Sequence, residues 1–427
     1  MHRDRGGMKI NAKLDFDLVA VESEDTVHIL LDLTAPTPES VKARPPATLQ
    51  VVLDRSGSMA DGRLQAALVA IDRLLARLGP DDRFGLVMFD DQVQVPVAAG
   101  PVGDGNRARS VLGQIHPGGM TDLASGYMRG IQEAQRVTPD DGSATLVLLS
   151  DGHANVGVTD MAVLEQFATG AQRARVSSST VGVGLGYDED LLAAIARGGS
   201  GNTHFAESGD DAGAALASEV DGLLTESVQA VSLTVRPSSD VAAVRLYNDL
   251  PATPIDGGFM VELGNLHAAE QRRLILEADV PTIASVGLAS ICDLELRWMD
   301  LETMRSERAD IPVHVNVVPG DEAAGRTQDP EVTTELSFQR AQRAKREASE
   351  ALGEGDVLRA QQIYRDASTE LGEVDLKDAD ESVACEVAEE VQMLDQLAMQ
   401  AEQDQLLARK RALADHHMKS RKRGRDR

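Results

Sequence analysis

The chain of 427 residues is long enough for two or three domains, and 42% hydrophobic residues can fill their cores. Lys and Arg total 42 against 69 Asp and Glu, a formal charge of −27. Such a surface repels nucleic-acid phosphates and anionic lipid, which argues against both as partners, and it suits divalent cations.

In chain order, the N-terminus "MHRDRGGMKINAKLDFD" has charges but no apolar core of a secretory signal. Residues 9–34 alternate apolar and polar, as half-buried strands do. The proline-rich "APTPESVKARPPA" then reads as a linker. From 47 to 225 the texture changes. Short apolar runs ("LQVVL", "FGLVMF", "TLVLLS", "SSTVGVGL") alternate with helical patterns. The clearest helix puts Leu64, Ala67, Leu68, Ile71, Leu74, Leu75 and Leu78 on one face, with Gly79-Pro80 as its expected stop. This alternation predicts a doubly wound, mostly parallel sheet covered on both faces.

Residues 228–318 are strand-rich with regular turn signals, predicting an antiparallel β-sandwich. The strands of 9–34 need partners, since a lone hairpin is marginal in water. The economical solution pairs them with the later sheet, so that the α/β domain is inserted in the sandwich. Residues 330–414 read as helical. Two helices join at "GEGD" with Asp356 as N-cap, and a longer helix follows from Ser382 to Ala414. The basic end, residues 415–427, reads as a disordered tail. Two cysteines, Cys292 and Cys385, make no disulfide framework and no structural zinc site, and both are expected in the core with Trp298. No run approaches the roughly 18 apolar residues of a membrane span. The expected location is cytoplasmic.

The chemistry concentrates at "VVLDRSGSM". Asp54, Ser56 and Ser58 lie just past an apolar strand, where doubly wound folds place ligands. A carboxylate and two hydroxyls are hard oxygen donors of low net charge, suited to Mg²⁺ or Mn²⁺. Thr121, in the glycine-started loop of "PGGMTDL" before a helix, and Asp151, just after the apolar strand of "LVLLSDG", would lie on the same edge of the sheet and can complete the set. Competing readings are weaker. Met59 stands where an EF-hand requires glycine, so that loop is excluded. No "GxSxG" elbow surrounds the serines to make one a nucleophile, and His153 reads as a rim residue. Helix capping explains two serines but not Thr121 and Asp151. Asp122 can cap a helix, while Asp90 and Asp91 read as solvated loop residues.

The "DRSGS" of 54–58, followed by Thr121 and Asp151, resembles the von Willebrand factor type A family and its metal-ion-dependent adhesion site. The resemblance covers roughly residues 47–225 and implies a Rossmann-like fold. It implies that Ser56, Ser58 and Thr121 bind a cation directly, Mg²⁺ or else Mn²⁺ or Ca²⁺. Asp54 and Asp151 would act through bound water, and a partner's Asp or Glu carboxylate would complete the shell. Mg²⁺ seeks six oxygens and dehydrates reluctantly, so an ion kept from direct carboxylate contact retains charge to attract that group. The expected function is a non-enzymatic, metal-dependent protein-binding module. The alternative is an adaptor subunit of a MoxR-type or chelatase-like AAA+ ATPase machine, whose motor would be a separate protein, since no P-loop occurs in this chain.

Overall fold

The computed structural model describes every residue except 1, 6, 38–45, 140–141, 152–153, 185, 207–208, 378–380 and 422–427. The chain divides into two compact units, residues 39–226 and residues 1–38 together with 227–427. The first strands are β1 (His2–Arg5), β2 (Met8–Leu14), β3 (Leu18–Ala20) and β4 (Asp25–Thr34).

The α/β unit follows, with β5 (Thr48–Asp54), α1 (Arg63–Leu75), β6 (Arg83–Phe89) and β7 (Val93–Pro101). Next come α2 (Asn106–Leu112), α3 (Leu123–Val137), β8 (Ala144–Ser150) and α4 (Met161–Arg173). The unit ends with β9 (Val176–Val183), α5 (Glu189–Gly198), β10 (Ser200–Ala206) and α6 (Gly209–Leu224). Its sheet has the order β10-β9-β8-β5-β6-β7, parallel except for β7, which runs antiparallel to β6. The central strand β5 is buried along its whole length. Leu49, Val51 and Leu53 pack with α1, α2 and α6, while Val52 packs on the opposite face with α3, α4 and α5. Continuous apolar strands are what a sheet covered on both faces requires. Leu64, Ala67, Leu68, Ile71, Leu74 and Leu75 of the predicted face are buried in α1, but the helix ends at Leu75, four residues before Gly79, and Leu78 lies beyond it, half-buried.

Beyond it run β11 (Glu226–Pro237), β12 (Ala243–Leu246), β13 (Ala252–Ile255) and β14 (Gly258–His267). Strands β15 (Gln271–Val280), β16 (Gly287–Asp300) and β17 (Arg305–Val318) complete the β elements. Two sheets result, β1-β2-β4-β15-β12 and β13-β14-β11-β16-β17-β3. The early strands pair with the late ones, β4 with β15 over ten residues and β3 with β17, so the α/β unit is inserted in the sandwich. One core links both sheets, with Ile29, Leu31 and Leu33 of β4 meeting Leu294, Leu296 and Trp298 of β16 in the same cluster. Leu30 faces the other way, toward Val332 and Leu336.

Those two belong to the helical end, which comprises α7 (Gly320–Ala323), α8 (Pro330–Gly353), α9 (Val357–Gly372), α10 (Glu381–Gln403) and α11 (Gln405–Arg421). Asp356 caps α9 by accepting from the Arg359 N–H. Three expectations change here. The single helix expected over 382–414 is two helices, because Asp404 accepts from the Leu407 N–H at 3.0 Å and starts a new one. Residues 415–421, expected as tail, continue α11, anchored where Lys419 meets Glu390 at 2.7 Å and Asp415 at 2.9 Å. Residues 422–427 lie outside the described part. Cys292 and Trp298 are in the core, but Cys385 is exposed on α10. Among the described residues, no helix is long and apolar enough to cross a membrane.

Candidate metal centre

The carboxyl ends of β5 and β8 bring the sequence motif together. Asp54, the last residue of β5, is fully buried. Its Oδ1 accepts from the Ser56 N–H at 2.8 Å and its Oδ2 from the Ser150 hydroxyl at 2.7 Å. Asp54 therefore fixes the turn after β5 and ties it to the end of β8. The two serine hydroxyls, Ser56 Oγ and Ser58 Oγ, lie 3.0 Å apart, and Ser58 donates to Asp151 Oδ1 at 2.8 Å. Neither serine caps α1, whose N-cap is Gly62. They sit instead around a short 3-10 turn, Gly57–Met59.

Thr121 reaches the cluster through its loop. The Gly118 N–H donates to the Arg55 carbonyl at 2.6 Å, and the Gly57 N–H to that of Gly119 at 3.0 Å. Thr121 is itself buried and held by Asn155. Its N–H donates to Asn155 Oδ1 at 2.9 Å, and its carbonyl accepts from the Asn155 and Val156 N–H groups. Asp54, Ser56, Ser58 and Asp151 are thus joined by direct hydrogen bonds, and Thr121 by backbone contacts of its loop. Asp122 caps α3, accepting from the Ser125 N–H at 3.1 Å. His153 lies outside the described residues.

Two residues of the candidate site escape the sequence reading. Asp90, expected in solvent, is buried and paired with Arg55 at 2.7 Å. It also accepts from the Gln92 and Gly119 N–H groups, so it braces the Thr121 loop against the motif. Gly118 makes this possible, because a Cβ there would lie 2.0 Å from Asp90 Oδ2. Asp91 is exposed, as expected. The second residue is Arg63, whose Nη1 donates to Asp151 Oδ2 at 2.7 Å and to the Ser58 carbonyl at 3.1 Å. A basic residue opening a helix runs against the helix dipole, and that was its only signal in the sequence.

Electrostatically, burial pushes the Asp54 carboxyl above the ordinary range; hydrogen bonds from Ser150 and Ser56 oppose this and the Asp151 charge reinforces it. The chemistry of the donor set fits a small hard cation. Six oxygens at about 2.0–2.1 Å put neighbouring ligands about 2.9 Å apart on an octahedron, and the Ser56 and Ser58 hydroxyls are 3.0 Å apart. Among the described residues no group of three or more His, Cys, Asp or Glu side chains could hold a metal, so any cation here depends on hydroxyl ligands.

Comparison with known proteins places this unit. The profile of the von Willebrand factor type A domain matches residues 49–218. These residues are a von Willebrand factor type A domain. Solved structures similar to the chain include the ArnB paralog VWA2 from Sulfolobus acidocaldarius, with a TM-score of 0.66 at 16% identity, covering 97% of this chain and 100% of that one. A von Willebrand factor type A protein from Catenulispora acidiphila has a TM-score of 0.71 at 16% identity, covering 91% and 89%. At that identity the likeness is one of fold, and it extends beyond the type A domain to most of the chain.

Among curated proteins, the uncharacterized protein sll0103 of Synechocystis is 30% identical over 169 residues, 40% of each chain. The E3 ubiquitin-protein ligase WAV3 of Arabidopsis thaliana is 26% identical over 309 residues, 66% of this chain and 39% of the ligase. Inter-alpha-trypsin inhibitor heavy chain H3 of Mesocricetus auratus is 27% identical over 160 residues, 35% of this chain and 18% of that one. The matches thus span less than half the length of these relatives.

Proposed function

We propose that the type A domain is a cation-dependent protein-binding module and that the chain is not an enzyme. Asp54, Ser56, Ser58, Thr121 and Asp151 are the residues that would hold Mg²⁺, or Mn²⁺ or Ca²⁺ in its place, as a metal-ion-dependent adhesion site. Such a cation supplies an open coordination position for the carboxylate of an Asp or Glu on a partner protein.

The observation that carries this reading is the position of Ser58, whose hydroxyl is 3.0 Å from that of Ser56 and 2.8 Å from Asp151 Oδ1. Asp54 has both oxygens engaged by Ser56 and Ser150, which suits a residue that fixes the ligand loop while leaving the ion its charge. The loop of Thr121 is braced against the motif by Asp90 and Arg55, so the donors are held in place before an ion arrives. Relatives that share the domain include inhibitor heavy chains and a ubiquitin ligase, a spread of whole-protein roles that suits a binding module better than a conserved catalyst.

The test is affinity capture from native lysate with the full chain, in Mg²⁺ and in EDTA, beside Asp54→Ala. The expected result is a set of partners retained in Mg²⁺ and lost both in EDTA and in the variant, with cooperative unfolding preserved. Capture that survives both treatments removes the cation from the account.

A further inference from the structure

Arg63 is the feature of the site that the proposed function leaves unused. Its guanidinium lies on Asp151, whose side chain is fully buried, at 2.7 Å from Oδ2. Among the described residues, Arg63 is the only cation paired with Asp54 or Asp151. The contacts of Asp54 are with neutral donors, the Ser56 N–H and the Ser150 hydroxyl. With Ser58 on Oδ1 and Arg63 on Oδ2, both oxygens of Asp151 are engaged.

The arginine has a seat of its own. It opens α1, where a positive charge is disfavoured by the helix dipole, so Asp151 and the Ser58 carbonyl are what retain it. A Cβ on Gly184 would come within 3.2 Å of Arg63 Nε, so the glycine leaves the guanidinium its room. Its side chain is also 41% exposed, which gives it a way out into solvent.

We propose that Arg63 is a built-in competitor of the cation: its charge, held on Asp151, opposes a second positive charge at the adjacent serine hydroxyls and thereby lowers the ion's affinity. The proposal rests on the cation-site reading above. Asp151 would meet the ion through bound water while Arg63 holds its Oδ2, so the two positive charges draw on one buried carboxylate and repel, and a bound ion weakens the Arg63–Asp151 pair. The sign is what distinguishes a competitor from a residue that merely positions Asp151, since removing the latter weakens cation binding.

The experiment titrates the full-length protein with Mn²⁺ by calorimetry, comparing wild type, Arg63→Gln and Arg63→Lys, with thermal melts of each in EDTA and in saturating Mn²⁺. Arg63→Gln is expected to bind Mn²⁺ about tenfold tighter than wild type. Arg63→Lys, which keeps the charge, is expected to stay within about threefold of wild type. In EDTA the glutamine variant melts below wild type, and its gain on adding Mn²⁺ is the larger of the two, as linkage requires. Mn²⁺ binding to Arg63→Gln at or below wild-type affinity overturns the proposal and leaves the cation site intact. If Arg63→Gln does not fold, Arg63→Lys decides: more than tenfold weaker binding there makes the residue a positioning group and overturns the competitor. Absence of Mn²⁺ binding in wild type and variants alike overturns both readings.

Discussion

Glu390 in the helical end and Asp54 at the tip of β5 are both buried carboxylates, yet their surroundings push them in opposite directions. Burial works against the charge on Glu390, but Lys345 and Lys419 outweigh it and hold the group well below the usual glutamate range. Lys345 pairs with both Glu390 and Asp415, and Lys419 with the same two acids, so two cations face two anions. Around Asp54 the balance goes the other way. Burial raises it, neutral donors offset only part of that, and the neighbouring Asp151 adds to the rise. One region has closed its charges on themselves; in the other the Arg55–Asp90 pair is closed, while Asp54 and Asp151 share one partly exposed arginine, Arg63. A balanced buried network is a structural device, whereas an unbalanced one at a strand end suits the cation proposed for it.

The largest effect should come from breaking the balanced network. Glu390→Ala leaves Lys345 and Lys419 short of a partner and should cost about 3–5 kcal/mol, read by chemical denaturation, without changing Mn²⁺ binding. If cation binding falls as well, the two regions are not independent.

The same carboxylate fixes a pH dependence. Because its folded value is lowered, its contribution to stability is fully present above the ordinary range near 4.5 and is lost as pH falls through the lowered value. Denaturation midpoints measured from pH 7 down to pH 3 should therefore decline on the acid side, and Glu390→Gln should flatten that decline. An unchanged slope in the variant assigns the acid sensitivity elsewhere.

Ser58→Ala sharpens the contrast. It removes one exposed hydroxyl and its bond to Asp151, so stability should fall by only about 1 kcal/mol, while Mn²⁺ binding should be lost. A comparable stability cost without loss of binding would make Ser58 a structural residue like Glu390. The smallest effect is expected at the helix break. Asp404→Ala removes the cap of α11 and should cost about 0.5–1 kcal/mol by thermal melting, with no effect on cation binding.

The sequence was most legible where the candidate site and local pattern coincide. Apolar strands followed by oxygen-bearing tips revealed β5, β8 and the motif, because a strand buried on both faces must be apolar along its length. Strand β7 was missed since it is an antiparallel edge with Pro96 inside it, and an edge strand tolerates what a central one rejects. Edge strand β10, "SGNTHFA", was hidden by its polar composition, yet Asn202 and Thr203 are buried in it. The roles of Asp90 and Arg63 depend on partners 35 and 88 residues away in the chain, which no local pattern reports. The end of α11 was misread for the same reason. Lys419 looks like part of a basic tail until Glu390 and Asp415 are placed beside it.

The most direct measurement is a Mn²⁺ titration of the full-length protein beside the Ser56→Ala/Ser58→Ala double variant. One ion bound per chain is expected in the wild type and none in the double variant, with both proteins folded. Undiminished binding in the double variant, or none in the wild type, would contradict it.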